Sequence, residues 1–491
     1  MEQFDLVIIG GGPAGYAGAM RALDFGKKVL LIEKNKLGGA GVYNGVLASK
    51  TMWEFSQKVS TIKTELPNYE FQFSDVKEVI AAASFDRKTQ MMVHLSMLKE
   101  NRSIKGSLSY EKGIGQIIDK NIVEIDKGDK KMRVKTAYIL LCTGSRPRKL
   151  PNLTIDEETI LTSDGIHKLD QFPKSLVILG AGVIGCEYAT IFSNFGKTKV
   201  NLIDKADRIL PFEDKDISET VTENLERNGA TIHKNSSLVR MEIKNGKVEY
   251  ELKYTDGRKE IINVDKAIVS VGRIPNIEGL GLEKIGIKLK ENGKVWDNDT
   301  QTSIANIFVA GDLSSDIALV NIAEREARHA VVRMFGPPVK PLNYNNISTI
   351  MFLNPEVAAV GLNEQQAIEK GIPFKVARLD YSTVARAIAM RKTNGFFKLL
   401  VSNDHGMRII GMRAVGEHAS TAIQAVAVLM DMNKGVQELS VMLHPHPSII
   451  EGIQECTRML LGKSIYKPSI FKDKLKCYSY ENGVYTQINN L

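Results

Sequence analysis

The chain has 491 residues, a length that predicts about three compact units. Hydrophobic residues make up 43% of it and charged residues 25%, which is typical of globular proteins and excludes collagen-like and disordered classes. The 65 basic and 57 acidic residues leave a net charge of +8 that is mild and largely interleaved, so we expect no nucleic-acid partner.

The sequence also argues against membrane insertion, secretion and metal binding. Apolar runs such as residues 425–430 are far shorter than the roughly 20 residues that a membrane helix needs. The acidic start of the chain does not resemble a signal peptide. Four cysteines lie far apart with no CxxC spacing, which favours a reducing, cytoplasmic location over a disulfide framework or a zinc site.

A repeat is the strongest signal along the chain. Residues 6–15 read LVIIGGGPAG, and residues 176–185 read LVILGAGVIG. Each copy is a continuous apolar run, typical of a strand buried on both faces, followed by GxGxxG and a helical stretch. A second apolar run follows each copy and is closed by an acid, Glu33 after 29–32 and Asp204 after 200–203. The pattern predicts two similar βαβ units.

Two GxGxxG segments, each between a strand and a helix and each followed by an acid, indicate dinucleotide binding, whereas one alone would be weak evidence. The first glycine permits a tight turn, the second admits a pyrophosphate, and the third lets helix and strand pack closely. The pyrophosphate would lie on the helix N-terminus, where unpaired N–H groups favour negative charge. Glu33 and Asp204 would accept hydrogen bonds from ribose hydroxyls.

Later segments add two turns, a third domain and a tail. Thr143-Gly144-Ser145 follows a predicted strand at 138–141, and Ala310-Gly311-Asp312 follows one at 307–309. From about residue 345, strands such as 396–401 and a helix over 420–432 predict an α+β domain. Beyond about residue 465 we expect a solvated basic tail, or alternatively a contact with an anionic surface or partner. Residues 463–476 contain five lysines and a single acid, Asp473. The lysines are Lys463, Lys467, Lys472, Lys474 and Lys476.

Eight motifs in this order carry a family resemblance. They are Gly10 to Gly15, Gly38-Gly39, Ser49-Lys50, Thr143-Gly144-Ser145, Gly180 to Glu187, Val271 to Asn276, Ala310-Gly311-Asp312 and His444-Pro445-His446-Pro447. Over about residues 3 to 463 the chain resembles the pyridine nucleotide-disulfide oxidoreductases of the dihydrolipoamide dehydrogenase type. The resemblance implies an α/β fold with two Rossmann-like dinucleotide-binding domains and a C-terminal α+β dimerisation domain.

The resemblance also implies domain limits, cofactors and a homodimer. FAD would bind to residues 1–149 and 276–344, NAD to 150–275, and 345–464 would form the dimer interface, followed by a basic tail at 465–491. The FAD residues would be Gly10, Gly12, Pro13, Ala14, Gly15, Glu33, Lys34, Gly39, Lys50, Gly115 near the adenine, Thr143, Gly144, Asp312 on the ribityl chain and Val320 beside the flavin. The NAD residues would be Gly180, Gly182, Gly185, Asp204, Gly272 and Arg273. NADP is less expected, because the Asp204 carboxylate would repel a 2′-phosphate, although Lys205 beside it weakens that inference.

One departure from the family concerns the residues that exchange electrons with the flavin. In the disulfide enzymes Gly-Gly is followed by two cysteines five positions apart. Here Gly41 and Val46 stand at those positions. Neither side chain carries sulfur, so the resemblance excludes disulfide reduction by the family route.

Other catalytic residues match the family. Lys50 would lie beside the flavin and pair with Glu187, and His446 and Glu451 would form an acid/base dyad contributed to the partner subunit's site. Without a thiol, His446 either protonates a different acceptor or is an interface residue. Tyr43 and Trp53 either line an acceptor pocket or pack in the core.

The chain therefore predicts a flavoenzyme that passes hydride from NADH through FAD to a small non-disulfide acceptor. The acceptor would be a quinone, oxygen or a second nicotinamide, as in soluble transhydrogenases. The alternative is a catalytically decayed flavin-binding sensor or partner-binding protein. For Cys186 we expect a core position at a helix start, and Cys477 in the tail offers at most a remote thiol.

Overall fold

A computed structural model describes residues 1–43, 45–66, 68–100 and 104–488. The strands are β1 (Glu2–Ile9), β2 (Lys28–Glu33), β3 (Ser107–Lys112), β4 (Ile114–Asp119), β5 (Ile122–Asp126), β6 (Lys131–Leu141), β7 (Ser145–Pro147), β8 (Ile160–Thr162), β9 (Ser175–Leu179), β10 (Lys199–Ile203), β11 (Thr231–His233), β12 (Ser236–Lys244), β13 (Lys247–Tyr254), β14 (Lys259–Val264), β15 (Lys266–Val269), β16 (Arg273–Pro275), β17 (Ile307–Val309), β18 (Thr349–Met351), β19 (Val357–Gly361), β20 (Phe374–Asp380), β21 (Phe396–Ser402), β22 (Ile409–Val415), β23 (Leu475–Glu481) and β24 (Val484–Gln487).

The α-helices are α1 (Pro13–Asp24), α2 (Gly39–Val42), α3 (Val46–Glu65), α4 (Phe73–Glu100), α5 (Val183–Phe195), α6 (Lys215–Arg227), α7 (Val320–Phe335), α8 (Glu364–Glu369), α9 (Ala385–Ala389), α10 (Ala419–Ala422), α11 (Gln424–Asp431), α12 (Val436–Ser440) and α13 (Glu451–Leu460). Short 3-10 helices cover Ile166–Lys168, Glu283–Ile285, Gly311–Leu313 and Tyr381–Thr383.

The chain divides into two compact units, Met1–Phe172 with Ile268–Leu342, and Pro173–Ala267 with Asn343–Leu491. The first unit is built on a sheet with the order β3-β2-β1-β6-β5-β4, and β17 also pairs with β6. The pairs β1/β2, β1/β6, β2/β3 and β17/β6 are parallel, as expected for a βαβ fold.

The sheet of the first unit is buried on both faces. In β1, Leu6 and Ile8 pack with helices α1 and α7, and Val7 and Ile9 pack with strands β4 to β6 on the other face. This alternation explains why the sequence of β1 is continuously apolar. A Cβ on Gly18 of α1 would lie 2.8 Å from Cδ2 of Leu140 in β6 and 3.5 Å from Cβ of Ala327 in α7, so glycine lets this helix lie close to the sheet.

The second unit contains the second βαβ repeat and a larger antiparallel sheet. In the βαβ repeat, strands β9, β10 and β11 are parallel, and β10 pairs with both of the others. The next three strands along the chain, β12, β13 and β14, form an antiparallel sheet. The C-terminal sheet has the order β18-β19-β22-β21-β20-β23-β24. Its core is covered by α9 to α13. The α/β fold class predicted from the sequence, with two Rossmann-like halves and a C-terminal α+β domain, is confirmed.

Residues 150–172 and 268–275 lie in the first compact unit, where Phe172 packs on Phe71 and Phe73 and β16 pairs with β7. The predicted limits of the NAD-binding domain stay a prediction. The helix predicted over 420–432 is split into α10 and α11, although Ile423 between them keeps helical dihedral angles.

The expected solvated tail is wrong where the chain forms strands β23 and β24, whereas residues 465–474 are a mostly exposed loop. Strand β23 pairs with β20 and continues the C-terminal sheet, and β24 pairs with β23. Leu475 and Cys477 point into the core and are 1% and 0% exposed, whereas Lys474 and Lys476 point outward. This alternation is the period of a half-buried strand. Residues 489–491, the end of the predicted tail, lie outside the described residues.

Candidate functional site

The first glycine-rich turn joins β1 to α1 and leaves open space in front of its middle glycine. Gly10 has φ +110°, and a Cβ there would lie 2.3 Å from the carbonyl oxygen of Cys142. A Cβ on Gly15 would lie 1.8 Å from the oxygen of Gly10, so only glycine lets α1 sit this close to the strand. A Cβ on Gly12 would meet nothing within 4 Å. The turn therefore leaves room at Gly12 for a group to approach the backbone.

Helix α1 begins at Pro13, a residue suited to the first helical position. It follows Gly12, which has no side chain to cap the helix. The N-terminal N–H groups are thus available to an anion.

The second turn has the same geometry. Gly180 has φ +100°, Gly182 precedes α5, and a Cβ on Gly182 would again meet nothing within 4 Å. The N–H of Cys186 donates to the oxygen of Gly182, as that of Tyr16 does to Gly12. Gly185 and Cys186 are buried, so the expected core position of Cys186 is confirmed.

Each predicted ribose acid is fixed by the turn that it faces. Glu33 accepts hydrogen bonds from the N–H of Gly11 and of Asn35, both at 2.7 Å. Asp204 accepts from the N–H of Ala181 at 2.7 Å and of Ala206 at 2.9 Å. Both carboxylates keep lone pairs for further donors such as hydroxyl groups. Lys34, next to Glu33, is exposed.

The two predicted turns of the first unit meet through Ser145. Its Oγ donates to Oδ2 of Asp312 at 2.5 Å and accepts from Nε of Arg273 at 2.8 Å. Nη2 of Arg273 donates to the backbone oxygen of Ser145, also at 2.8 Å. Thr143 Oγ1 donates to the oxygen of Asn276 at 2.7 Å. Asp312, Thr143 and Gly144 therefore belong to one hydrogen-bonded edge of the sheet.

This edge also contains the residues that the sequence assigned to NAD, Gly272 and Arg273. The oxygen of Gly272 accepts from the N–H of Arg148, and Nη1 of Arg273 lies 4.0 Å from Oδ1 of Asp164. Burial raises the pKa of Asp164, and the nearby guanidinium of Arg273 opposes that shift. Both residues thus contact the first unit, and their role toward NAD stays a prediction.

Sequence reasoning missed Glu326. This residue of α7 is 3% exposed, and its Oε2 accepts the N–H of Gly311 at 2.7 Å. It thereby fixes the turn that carries Asp312, and it lies in the same helix as Val320. The sequence alone does not distinguish this glutamate from Glu324, the other acid of the same helix, which is half-buried.

The segment after β2 packs directly on the first glycine-rich turn. A Cβ on Gly39 would lie 3.2 Å from Cα of Gly12, and a Cβ on Gly41 would lie 2.7 Å from Cγ of Pro13. Lys36 lies over the ring of Tyr43 at 4.8 Å, and burial raises the pKa of Tyr43. Trp53 is 8% exposed, which fits the packing interpretation.

Three predicted residues remain to be described: Gly115, Lys50 and Glu187. Gly115 lies in β4 against Ile9 and Ile32. Lys50 is partly buried in α3, and Glu187 is buried in α5 and accepts the N–H of Phe352 at 3.1 Å. The predicted pair between Lys50 and Glu187 stays a prediction.

The second unit contains the predicted acid/base dyad. Nδ1 of His446 lies 2.8 Å from Oε1 of Glu451, whose Oε2 accepts the N–H of Ser448 at 2.8 Å. Partial burial acts to raise the pKa of Glu451, but the hydrogen bonds from Ser448 and His446 outweigh it and hold that pKa below its ordinary value. The side chain of His446 is 72% exposed. Across the described residues, no group of three or more His, Cys, Asp or Glu side chains is arranged to hold a metal ion.

All four cysteines lie within the described residues, are buried and are free of disulfides: Cys142, Cys186, Cys456 and Cys477. Burial raises the pKa of the Cys477 thiol to about 12, and it raises the other three as well. None of the four thiols therefore has the exposure and the lowered pKa that a reactive cysteine needs.

Comparison with known proteins decides the family. Residues 4–327 match the pyridine nucleotide-disulphide oxidoreductases, and residues 347–457 match the dimerisation domain of the same family. The chain belongs to this family.

Known proteins of the family match this chain over nearly its whole length. A dihydrolipoyl dehydrogenase of Geobacillus stearothermophilus is 32% identical over 473 residues, covering 94% of this chain and 97% of the relative. A leghemoglobin reductase of Glycine max is 29% identical over 467 residues, covering 94% and 88%. The crystal structure of LpdA from Mycobacterium tuberculosis has a TM-score of 0.85 at 26% identity and covers 94% of this chain and 100% of LpdA.

Family membership confirms the expected cofactors, FAD and a pyridine nucleotide. The residues present fit two dinucleotides, because each glycine-rich turn has open space at its middle glycine and a fixed acid nearby. The dimerisation domain supports the expected homodimer. No helix of the described residues is long and apolar enough to cross a membrane.

Proposed function

We propose that this oxidoreductase takes hydride from NADH onto FAD and passes the electrons to a small acceptor that is not a disulfide. Bound FAD supplies the redox chemistry, since it accepts hydride from the nicotinamide and gives electrons to the acceptor. The state of the cysteines carries the proposal. Burial raises the pKa of each thiol, so none supplies the thiolate that attacks a disulfide.

The segment that would hold the family's exchanging cysteines supports the same conclusion. By resemblance, Gly41 and Val46 occupy those positions. A side chain at position 41 would require Pro13 to move, because its Cβ would lie 2.7 Å from the proline ring. The segment is therefore packed for glycine at this point and does not present a sulfur atom.

The chain's own residues would bind and orient the two dinucleotides. The N-terminus of α1 and Gly12 are proposed to receive the FAD pyrophosphate, with Glu33 on its ribose and Asp312 on its ribityl chain. The N-terminus of α5, Gly182 and Asp204 are proposed to do the same for NADH. A carboxylate at Asp204 favours NADH over NADPH, because it would repel a 2′-phosphate.

His446 is proposed to deliver a proton to the acceptor, with Glu451 as its orienting partner. Glu451 engages Nδ1 and leaves Nε2 on a largely exposed side chain, an arrangement suited to proton transfer. Replacing His446 with glutamine should lower turnover with a quinone and leave flavin reduction by NADH unchanged. His405, an exposed histidine of the same unit, is the matched control for a His→Gln change. Equal turnover in both variants would make His446 an interface residue.

The decisive experiment is an anaerobic acceptor screen with the FAD-loaded protein. NADH should bleach the flavin within seconds, and a quinone or a nicotinamide analogue should restore its colour. Oxidised lipoamide should not, and iodoacetamide should not slow the reaction. Rapid reoxidation by lipoamide would contradict the proposed acceptor class. A flavin that NADH does not reduce would contradict the whole proposal and favour the sensor alternative.

A further inference from the structure

The loop between α13 and β23 presents lysines together with large apolar side chains. Ile465 is 64% exposed, Tyr466 41%, Ile470 73% and Phe471 47%. Five exposed lysines lie within the loop and the start of β23, Lys463, Lys467, Lys472, Lys474 and Lys476, against the single acid Asp473. Isolated exposed apolar residues are common, but four of them on one short loop mark an interaction surface.

The loop is held in place by a buried carboxylate. Glu455 of α13 is 2% exposed, and its Oε1 accepts hydrogen bonds from Oγ of Ser464 at 2.6 Å and from the N–H of Ile465 at 2.9 Å. Ser464 Oγ in turn accepts the N–H of Lys467 at 3.0 Å. A fixed backbone thus holds the apolar side chains outward, and binding there would cost little ordering of the loop.

Backbone turns continue this order to the start of β23. The N–H of Ile470 donates to the oxygen of Lys467, and the N–H of Lys474 donates to the oxygen of Phe471. The oxygen of Lys474 accepts the N–H of Asp380, which joins the loop to β20. The matched dimerisation domain of the family ends at residue 457, so the whole loop lies outside it.

We propose that this loop, residues 461–474, together with Lys476, is a docking surface for an anionic lipid bilayer. Aliphatic and aromatic side chains would enter the boundary between headgroups and acyl chains, while the lysines would remain at the anionic headgroups. This mode needs both kinds of side chain on one fixed surface, as found here.

Charge and chemistry argue against other occupants. A symmetric contact between two copies of the loop would place five lysines against five lysines, and like charges repel at such an interface. A nucleic acid would satisfy the lysines, but it offers no apolar environment for Ile465 and Ile470, the two most exposed of the four apolar residues. An anionic bilayer accommodates both sets.

The test measures partition of the FAD-loaded protein onto vesicles of phosphatidylcholine with and without phosphatidylserine. We expect binding to the anionic vesicles that weakens with salt and is slight on the neutral ones. Replacing Lys467, Lys472 and Lys474 with glutamine should lower the partition coefficient about 100-fold, since each lysine contributes a factor of about five. The matched control replaces the exposed Lys253, Lys284 and Lys370 with glutamine, the same change in net charge, and should bind within about twofold of the unmodified protein.

A second variant, Ile470→Ser with Phe471→Ser, tests the apolar contribution and should lower binding about tenfold or more while the flavin content and the dimer mass stay unchanged. Equal loss in the control lysine variant would reduce the effect to net charge and overturn the proposal. Binding to a DNA duplex without binding to vesicles would overturn it in favour of a nucleic acid. Loss of the dimer in either loop variant would overturn it in favour of a second copy of the chain.

Discussion

Replacing Ser145 with alanine tests how the proposed FAD site is held. The change removes the donor to Asp312, at 2.5 Å, and the acceptor of Arg273 Nε, at 2.8 Å. Hydrogen bonds to charged groups contribute about 1.5–3 kcal/mol. These side chains are partly exposed, which places the expected effect near the lower end of that range. A change of 1.4 kcal/mol corresponds to a factor of about 10, so the Kd for FAD should rise about tenfold.

The measurement is a fluorescence titration of the apo-protein with FAD. The control is Ser303→Ala, which removes a hydroxyl that accepts the exposed N–H of Lys288 at 3.0 Å and should leave FAD affinity unchanged. The KM for NADH should change less than about twofold in both variants. Unchanged FAD affinity with a raised KM for NADH would refute the reasoning, because it would assign the Arg273 contacts to the nicotinamide nucleotide.

Four further substitutions test other parts of the structure. Gly12→Ala should preserve apo-protein thermal stability but abolish FAD retention, whereas Gly182→Ala should keep FAD and raise the KM for NADH, since each Cβ enters open space. Burial lowers the pKa of His233, so the contribution of the neutral imidazole to folding stability is complete above pH 6.5, the ordinary pKa, and is lost as the pH falls below it. In His233→Gln, the free energy of unfolding from urea titrations should therefore differ less between pH 7 and pH 5 than in the unmodified protein. The Lys398 ammonium lies within 3.2 Å of Asp214, Asp216 and Glu364, and of these Asp216 also pairs with Arg378 at 3.4 Å. Lys398→Met removes the ammonium that these carboxylates share and should lower the free energy of unfolding by about 3 kcal/mol. An unchanged urea midpoint for that variant would show that the cluster is solvated.

The repeated βαβ units were predictable because their signals are local. The strand predicted at 307–309 matches β17, and those at 29–32 and 200–203 lie within β2 and β10. A buried parallel strand reads as a continuous apolar run, and the glycine spacing follows from the steric needs of one turn. The acids at 33 and 204 follow the same local rule, and both contact their turns.

Contacts between distant segments were not predictable. Ser145 and Arg273 are 128 residues apart, and neither residue type signals the other. Glu326 is one of two acids on α7, and only the tertiary fold buries it beside Gly311. In the tail, the alternation of Leu475 and Cys477 was present in the sequence, but the surrounding lysines dominated the composition and concealed a strand.

The glycine-rich turn and the segment of residues 38–42 restrict one another. Gly39 contacts Gly12, and Gly41 faces the ring of Pro13. A cysteine at position 41 would have to displace the residue that begins α1, where the FAD pyrophosphate is proposed to lie. Introducing cysteines at positions 41 and 46 should therefore weaken FAD binding before it creates a working dithiol. In this packing, the proposed path for electrons leads from the flavin directly to the acceptor, and the shape of the acceptor pocket, rather than thiol chemistry, would set its specificity.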